Sequence, residues 1–509
     1  MQRGPDKNRI PLAAAITAAL AVPAGHAVSL NPDGLGQALI YPYYTVRSVG
    51  GNAFHTYLSV TNSTGDAKAL RVRIREGRNA REALAFNLYL GANDVWTGAL
   101  APTADGAQLL TADASCTDPT FTNGAIALRR EAFSGSQADG QGDTLDRTRE
   151  GFVEILEMAT LTGASAAAVT HTNAGVPVNC AAIRASATPS VAPPTGGLYG
   201  NLTLINVNAG QDFTLDATAL ADLASRPYFR PPSDPYPDFA AAEIDPVSVV
   251  TRKGMNPSSL PPNTSILNTN FLYRSVWSRP QDAVSAVLMS YAWTAEYTLD
   301  PEAASATDLV LTLPTRHFYV TGVGSTPPFG APSAGSPACG AQASSNRFGE
   351  RLARIAFNRE AQGPVSLGID LPLLPDPSRT GSICAASGVA SMRPTGSLPD
   401  IASSNVLGST TLGLAADDGR WTARGAAGWI VIAATGEGAT VTGLGSLPTS
   451  VRVNLDTGET LTGRHTFFGL PALGFVVRTF NNGQLSCAGA TCQGTYGSAF
   501  PMGQYRFVH

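Results

Sequence analysis

Between residues 70 and 90 apolar and polar side chains take turns, and a period of two is a property of pleated sheet. Leu70, Val72 and Ile74 alternate with Arg71, Arg73 and Arg75, and Leu84, Phe86, Leu88 and Leu90 alternate with Ala85, Asn87 and Tyr89. Each run therefore reads as a strand with a dry face and a wet face. Tyr57 to Asn62 reads as a third strand, joined to the arginine strand by Asn62-Ser63-Thr64-Gly65-Asp66, whose short polar side chains bond their own backbone in turns. Upstream, in Ala38 to Val46, Leu39, Tyr41 and Tyr43 fall on one face and Ile40, Pro42 and Tyr44 on the other. Proline cannot donate to a central ladder, so Pro42 marks an edge or a bulge. On the edge reading, Tyr41, Tyr43 and Tyr44 form a strand free to pair with another chain, and hence to self-associate.

The same grammar recurs downstream. Phe152 to Met158, Leu198 to Val207, Ile266 to Trp277, Val284 to Tyr291, Leu309 to Val320 and Ser366 to Leu371 read as strands, with a short helix at Ala217 to Ala224. Asp417-Asp418-Gly419, Asp456-Thr457-Gly458 and Asn481-Asn482-Gly483 each lie between apolar runs and read as hairpin turns. Gly428-Trp429-Ile430-Val431-Ile432 echoes Gly151-Phe152-Val153-Glu154-Ile155, a hint of two related halves that chance explains as well. Between Arg226 and Pro262 prolines are too dense for a regular element, which sets a boundary near residue 255. The expected fold is all-β: two immunoglobulin-like β-sandwich regions, 28–255 and 256–509, with long loops and disulfides. An outer-membrane barrel is the rival, and the proline-rich stretches and cysteines speak against it.

Residues 1–27 read as a signal peptide. Arg3, Lys7 and Arg9 precede an apolar run from Pro11 to Val22, and Gly25-His26-Ala27 places small residues where a signal peptidase reads. The alternative is an uncleaved anchor. The mature chain is expected to begin near Val28, to be secreted, periplasmic or on the cell surface, and to lack a transmembrane segment. Six cysteines, Cys116, Cys180, Cys339, Cys384, Cys487 and Cys492, agree with export. Nearness in sequence favours the pairs 116–180, 339–384 and 487–492, and zinc is disfavoured because no histidine lies near them in ligand spacing. A net charge of −4 argues against nucleic-acid binding, which needs clustered positive charge.

No G-x-S-x-G, HExxH, P-loop or strand-following GxGxxG motif occurs, so no catalytic residue, cofactor or metal ligand is assigned. Three weaker features carry alternatives. Asp139, Asp143 and Asp146 offer hard oxygens for calcium without the strict loop spacing, so a solvated loop is the plainer account. Glu154 and Glu157 are three apart on a strand and share a face only across a bulge. Tyr41, Tyr43, Tyr44, Trp96, Trp421 and Trp429 form either a platform for sugars or a partner, or simply core. His317 and His465, in strand-like runs, read as structural.

At GQALIYPYYTV, KALRVRIREGRNAREALAFNLYLGANDVWTGAL, DLVLTLPTRHFYV and FFGLPALGFVVRTFNNGQL the chain resembles a group of exported, cell-surface-associated proteins of proteobacteria that have no assigned activity. The resemblance covers most of the mature chain and implies an exported surface protein of two β-rich halves; it brings no catalytic residue with it. The expected function is a non-enzymatic exported interaction or structural protein with a protein or glycan partner. A carbohydrate-binding or carbohydrate-cleaving protein and a calcium-dependent adhesin are the alternatives.

Overall fold

The computed structural model describes residues 26–252, 270–321, 324–329, 350–360, 380–394, 403–410, 414–416, 421–434, 444, 448–487 and 490–508. Twenty of its strands fall into two sets of ten. The first set is β1 (Ala38–Thr45), β2 (His55–Asn62), β3 (Ala67–Glu76), β4 (Glu82–Leu90), β5 (Val95–Pro102), β6 (Cys116–Asp118), β7 (Glu150–Leu161), β8 (Asn201–Asn206), β9 (Gln211–Asp216) and β10 (Thr218–Ala221). The second is β11 (Ala292–Thr298), β12 (Ala306–Thr312), β13 (Glu350–Asn358), β14 (Thr380–Ile383), β15 (Ser387–Arg393), β16 (Leu414–Ala416), β17 (Ala427–Ala434), β18 (Leu473–Cys487), β19 (Ala490–Pro501) and β20 (Gly503–Tyr505).

Pairing is the same in both sets. One sheet runs β10-β1-β7-β3-β4-β6 and the other β5-β2-β8-β9; their counterparts run β20-β11-β17-β13-β14-β16 and β15-β12-β18-β19, every one of these pairs antiparallel. The likeness reaches single residues. Gly151 lies between Tyr44 and Glu76, and Gly428 between Tyr297 and Asn358. A Cβ on either glycine would stand 1.9 Å from a backbone oxygen, that of Arg75 or of Phe357. The Thr45 N–H donates to Thr56 Oγ1 at 3.1 Å, and the Thr298 N–H donates to Thr307 Oγ1 at 3.1 Å. The sequence echo at 151 and 428 is thus the visible trace of a repeated ten-strand unit.

Each unit is a two-sheet sandwich. In the first, Tyr41, Val72, Phe86 and Ile155 of one sheet share a core with Val60, Trp96 and Leu204 of the other; in the second, Trp293, Leu352 and Ile432 meet Leu311, Met392 and Val476. An immunoglobulin domain orders its first sheet A-B-E-D. Here the first strand of the unit pairs with the seventh and the seventh with the third, so the all-β expectation holds while the strand order is the unit's own. The units also share their interiors. Val310, Val389, Phe475 and Val477, on the back of the β15-β12-β18 sheet, belong to the core of the first unit.

The Asn62 turn forms as expected, the Asn62 side chain accepting from Thr64 N at 3.1 Å and donating to Asp66 O at 2.7 Å. Asp456-Thr457-Gly458 likewise turns between strands Thr449–Asn454 and Thr460–Arg464. Other expectations are corrected. Asn481 to Gly483 is not a turn, because β18 runs through it with a register shift between Asn482 and Gln484. Ala217 to Ala224 contains strand β10, not a helix. The expected strand from Val284 is mostly helix α1 (Pro280–Leu288), with Pro280 in its first turn and Asp282 at its positive end. Val284, Val287 and Leu288 share a helical face as readily as they make an apolar strand.

Cys116 and Cys180 are bonded, their Cα atoms 5.3 Å apart, closing a loop whose chain-entropy contribution is about 4 kcal/mol. Cys384 is also disulfide-bonded. Cys339, the side chains of Cys487 and Cys492, the turn at Asp417, the strand at Ser366 and the boundary near residue 255 lie outside them too. No helix among the described residues is long and apolar enough to cross a membrane.

Candidate anion-binding cavity

The arginines that alternate along β3 face away from the sandwich core, yet they are not wet. Arg71, Arg73 and Arg75 are 0%, 3% and 5% exposed. The cover over Arg71 and Arg73 is the proline-rich segment in which the sequence showed no regular element. Arg71 donates to the carbonyls of Pro231 (2.8 Å), Pro232 (3.2 Å) and Tyr236 (2.9 Å), and Arg73 to those of Pro235 and Pro237. Proline lacks an N–H, so a proline-rich segment lying on the sheet presents carbonyls in excess, and guanidinium groups are donors in excess. Burial, reinforced by the Arg73 charge, pulls the Arg71 guanidinium down to about 10. The carboxylates on this face are held in the same way. Glu154 accepts from Arg75 at 2.7 Å, and burial raises its pKa despite that partner.

At the end of β3 the buried Glu76 carboxylate organises the turn into β4. It accepts from the backbone N–H groups of Arg78 (2.8 Å), Asn79 (2.9 Å) and Arg81 (3.0 Å), and from the Arg147 side chain at 2.8 Å. Ala80, in this turn, sits at φ +57. Arg147 in turn holds Asp139 at 2.7 Å and lies over the Phe133 ring. Although burial pushes the Asp139 carboxyl up, Arg147 outweighs it and holds the group below the usual range.

This turn forms one wall of a cavity of about 370 Å³; Arg316, His317 and Val320, from the segment after β12, form the other. Arg73, Arg75, Arg81 and Arg316 line it with His317 and Asn79, against the carboxylates of Glu82 and Asp139. Arg73 is paired with Glu82, Arg316 reaches Asn79 Oδ1 at 3.3 Å, and Arg81 stands 3.7 Å from Asp139 with 41% of its side chain exposed. His317 is different. Both ring nitrogens are buried. Burial first, then the positive charges of Arg75 and Arg73, hold its pKa well below 6.5; the Pro314 carbonyl pulls weakly the other way. His317 is therefore neutral at pH 7.

A pH dependence follows. The unfolded ring titrates near 6.5, and the folded ring gains its proton only at lower pH. Between those values the unfolded chain binds the extra proton, so stability is present above 6.5 and lost as pH falls below it, by up to about 1.4 kcal/mol per pH unit. Urea unfolding at pH 7, 6 and 5 is expected to show a steeper loss for the native protein than for His317→Gln. Equal slopes would mean that the ring titrates normally. Arg73, Arg75, Arg81, Glu82 and Asp139 face the ring in both proteins and cancel from the comparison.

The other sequence candidates fall elsewhere. The Tyr41–Tyr44 stretch is not open to another chain: β10 pairs only with Ala38 to Ile40, but Tyr41, Tyr43 and Tyr44 are wholly buried. Pro42 instead sits in a bulge between the Gly151 and Val153 pairs. The tyrosine hydroxyls donate to Ser59 O (2.6 Å), Glu150 Oε2 (2.8 Å) and Thr148 O (3.0 Å). Phe475 of the second unit packs on Tyr43, and the Thr312 hydroxyl bonds the Pro42 carbonyl, so the chain itself covers the edge proposed for self-association. Asp139 and Asp146 are each bound by a guanidinium, of Arg147 and of Arg47 at 2.6 Å. No group of three or more His, Cys, Asp or Glu among the described residues is placed to hold a metal ion. Glu157 pairs with Lys68 and Glu154 with Arg75, so the two carboxylates do not work together. Trp96 and Trp421 are core, while Trp429 is part-exposed. His465 packs edge-on against Tyr273.

Arg316 and His317 stand more than 230 positions from Asn79 and Arg81, and no sequence signal joins them. Comparison of the chain with protein-family models, curated proteins and solved structures finds no match.

Proposed function

We propose that this is an exported, non-enzymatic binding protein, acting at the cell surface or in the extracellular or periplasmic space, and that the cavity at the junction of its two units holds an acidic group of its ligand. The carrying observation is the lining: four guanidinium groups and a neutral imidazole border a space that supplies two carboxylates. Guanidinium forks match carboxylate and phosphate oxygens in geometry and charge. Export is supported by the basic-then-apolar first 27 residues and by the oxidised Cys116, Cys180 and Cys384. A binding role without chemistry is supported by the buried carboxylates Glu76, Glu154 and Glu157, each fixed by a cationic partner.

Calorimetric titration of the intact protein with sodium phosphate and with sodium succinate, at neutral pH and low salt, tests the reading. At least one anion is expected to bind saturably, while sodium chloride at matched ionic strength gives no such isotherm. Arg81→Ala, whose side chain is part-exposed and whose loss leaves the fold intact, is expected to weaken binding about tenfold, or about 1.4 kcal/mol. Failure of both anions to bind, or equal binding by the variant, would reject the cavity as the site.

A further inference from the structure

The repeat places the edges of β1 and β11 in equivalent positions, and their surroundings differ. The β1 edge is covered by Phe475 and Thr312 of the second unit. The β11 edge instead borders an open groove of about 550 Å³, lined by Thr294 and Glu296 of β11, Trp429 of β17, Arg478 of β18 and Phe500 of β19.

We infer that this groove binds a neutral pyranose oligosaccharide. Two aromatic rings reach it and both are held in place. Trp429 is stacked on Phe357, with centroids 4.5 Å apart and planes at 13°, and Phe500 is 44% exposed beneath the Arg478 guanidinium, 4.8 Å from its centroid. The electron-rich face of an aromatic ring accepts the C–H face of a sugar, and a rigid ring loses little entropy in doing so. Between the rings lies a polar pair, Arg478 Nη1 to Glu296 Oε2 at 3.4 Å. Vicinal hydroxyls donate to such a carboxylate and accept from such a guanidinium. The two charges cancel, so the pair selects no ionic ligand.

An added peptide strand fits less well. Gly503 to Tyr505 already pairs with Ala292 to Thr294, and Thr307 takes the backbone N–H and carbonyl of Thr298. Three residues, Ala295 to Tyr297, remain along the edge, fewer than an ordinary strand pairing needs.

Cellohexaose, maltohexaose and chitohexaose, titrated into the intact protein with tryptophan fluorescence and heat as readouts, test the inference. At least one is expected to bind saturably and to shift the fluorescence. Glu296→Ala, at a side chain 76% exposed, is expected to weaken it at least tenfold, and Trp429→Ala to weaken it further, with Trp429→Phe between the native protein and Trp429→Ala. Binding of none of the three at millimolar concentration, or binding unchanged in both alanine variants, overturns the inference. Arg81→Ala removes a cavity residue and leaves the groove whole, so full sugar binding by that variant is expected and the two sites fail separately.

Discussion

Lys68→Met is expected to destabilise the protein by about 3–5 kcal/mol, measured by urea unfolding at neutral pH. Lys68 Nζ lies 2.7 Å from Glu157 Oε1, and neither side chain is exposed to solvent. The ammonium also donates to Thr195 Oγ1 at 2.8 Å, while Glu157 accepts from Thr195 N at 3.0 Å and Gly196 N at 2.8 Å. Burial already raises the Glu157 pKa, and Lys68 is its chief counterweight. Removing the amine strands a carboxylate in the interior, so Glu157 is expected to take up a proton. The penalty should then shrink as pH is lowered, because protonation neutralises the stranded group. Lys68→Met with Glu157→Leu is expected to regain more than half of the loss; the remainder belongs to the two backbone donors that Glu157 accepts. A loss below about 1 kcal/mol for Lys68→Met would show that the pair is solvated in the working protein.

Glu76→Ala is expected to cost a similar amount, about 3–5 kcal/mol, and to abolish anion binding at the cavity. Its carboxylate satisfies three backbone donors of the Gly77–Arg81 turn and one edge of the Arg147 guanidinium. Without it the turn loses the centre that sets where Asn79 and Arg81 stand. Glu76→Gln keeps an acceptor oxygen for the turn but gives up the charge facing Arg147, and should fall between the two. Urea midpoints and phosphate or succinate titration on all three proteins check this. A Glu76→Ala protein that folds with native stability and binds as before would remove Glu76 from both roles.

Both predictions concern buried charges, which alternation alone does not foretell. Arg71, Arg73 and Arg75 read as the wet side of a strand, and nothing nearby in the chain contradicts that. For Arg71 and Arg73 burial comes from residues 231–237, about 160 positions away, whose carbonyls supply acceptors in the places of water. The corresponding outer face of the second unit carries Ile355, Phe357, Trp429 and Val431 instead, so one repeated frame has an ionic face in one copy and an aromatic and aliphatic face in the other. The echo at Gly151 and Gly428 survives because a backbone oxygen at 1.9 Å admits no other side chain.

Local physics determined what is periodic or short-range: the alternation that makes β3 and β4 strands, the Asn62 and Asp456 turns, the Cys116–Cys180 bond between cysteines 64 positions apart, and the glycine that marks the repeat. Tertiary structure alone decided which strand is an edge, which arginines are dry, and which residues face one cavity. The reason is that alternation is written in the dihedrals of neighbouring residues, whereas burial of a face depends on what arrives to cover it. For Tyr43 that is Phe475, and for Asn79 it is Arg316, partners brought in by the stacking of one unit on the other.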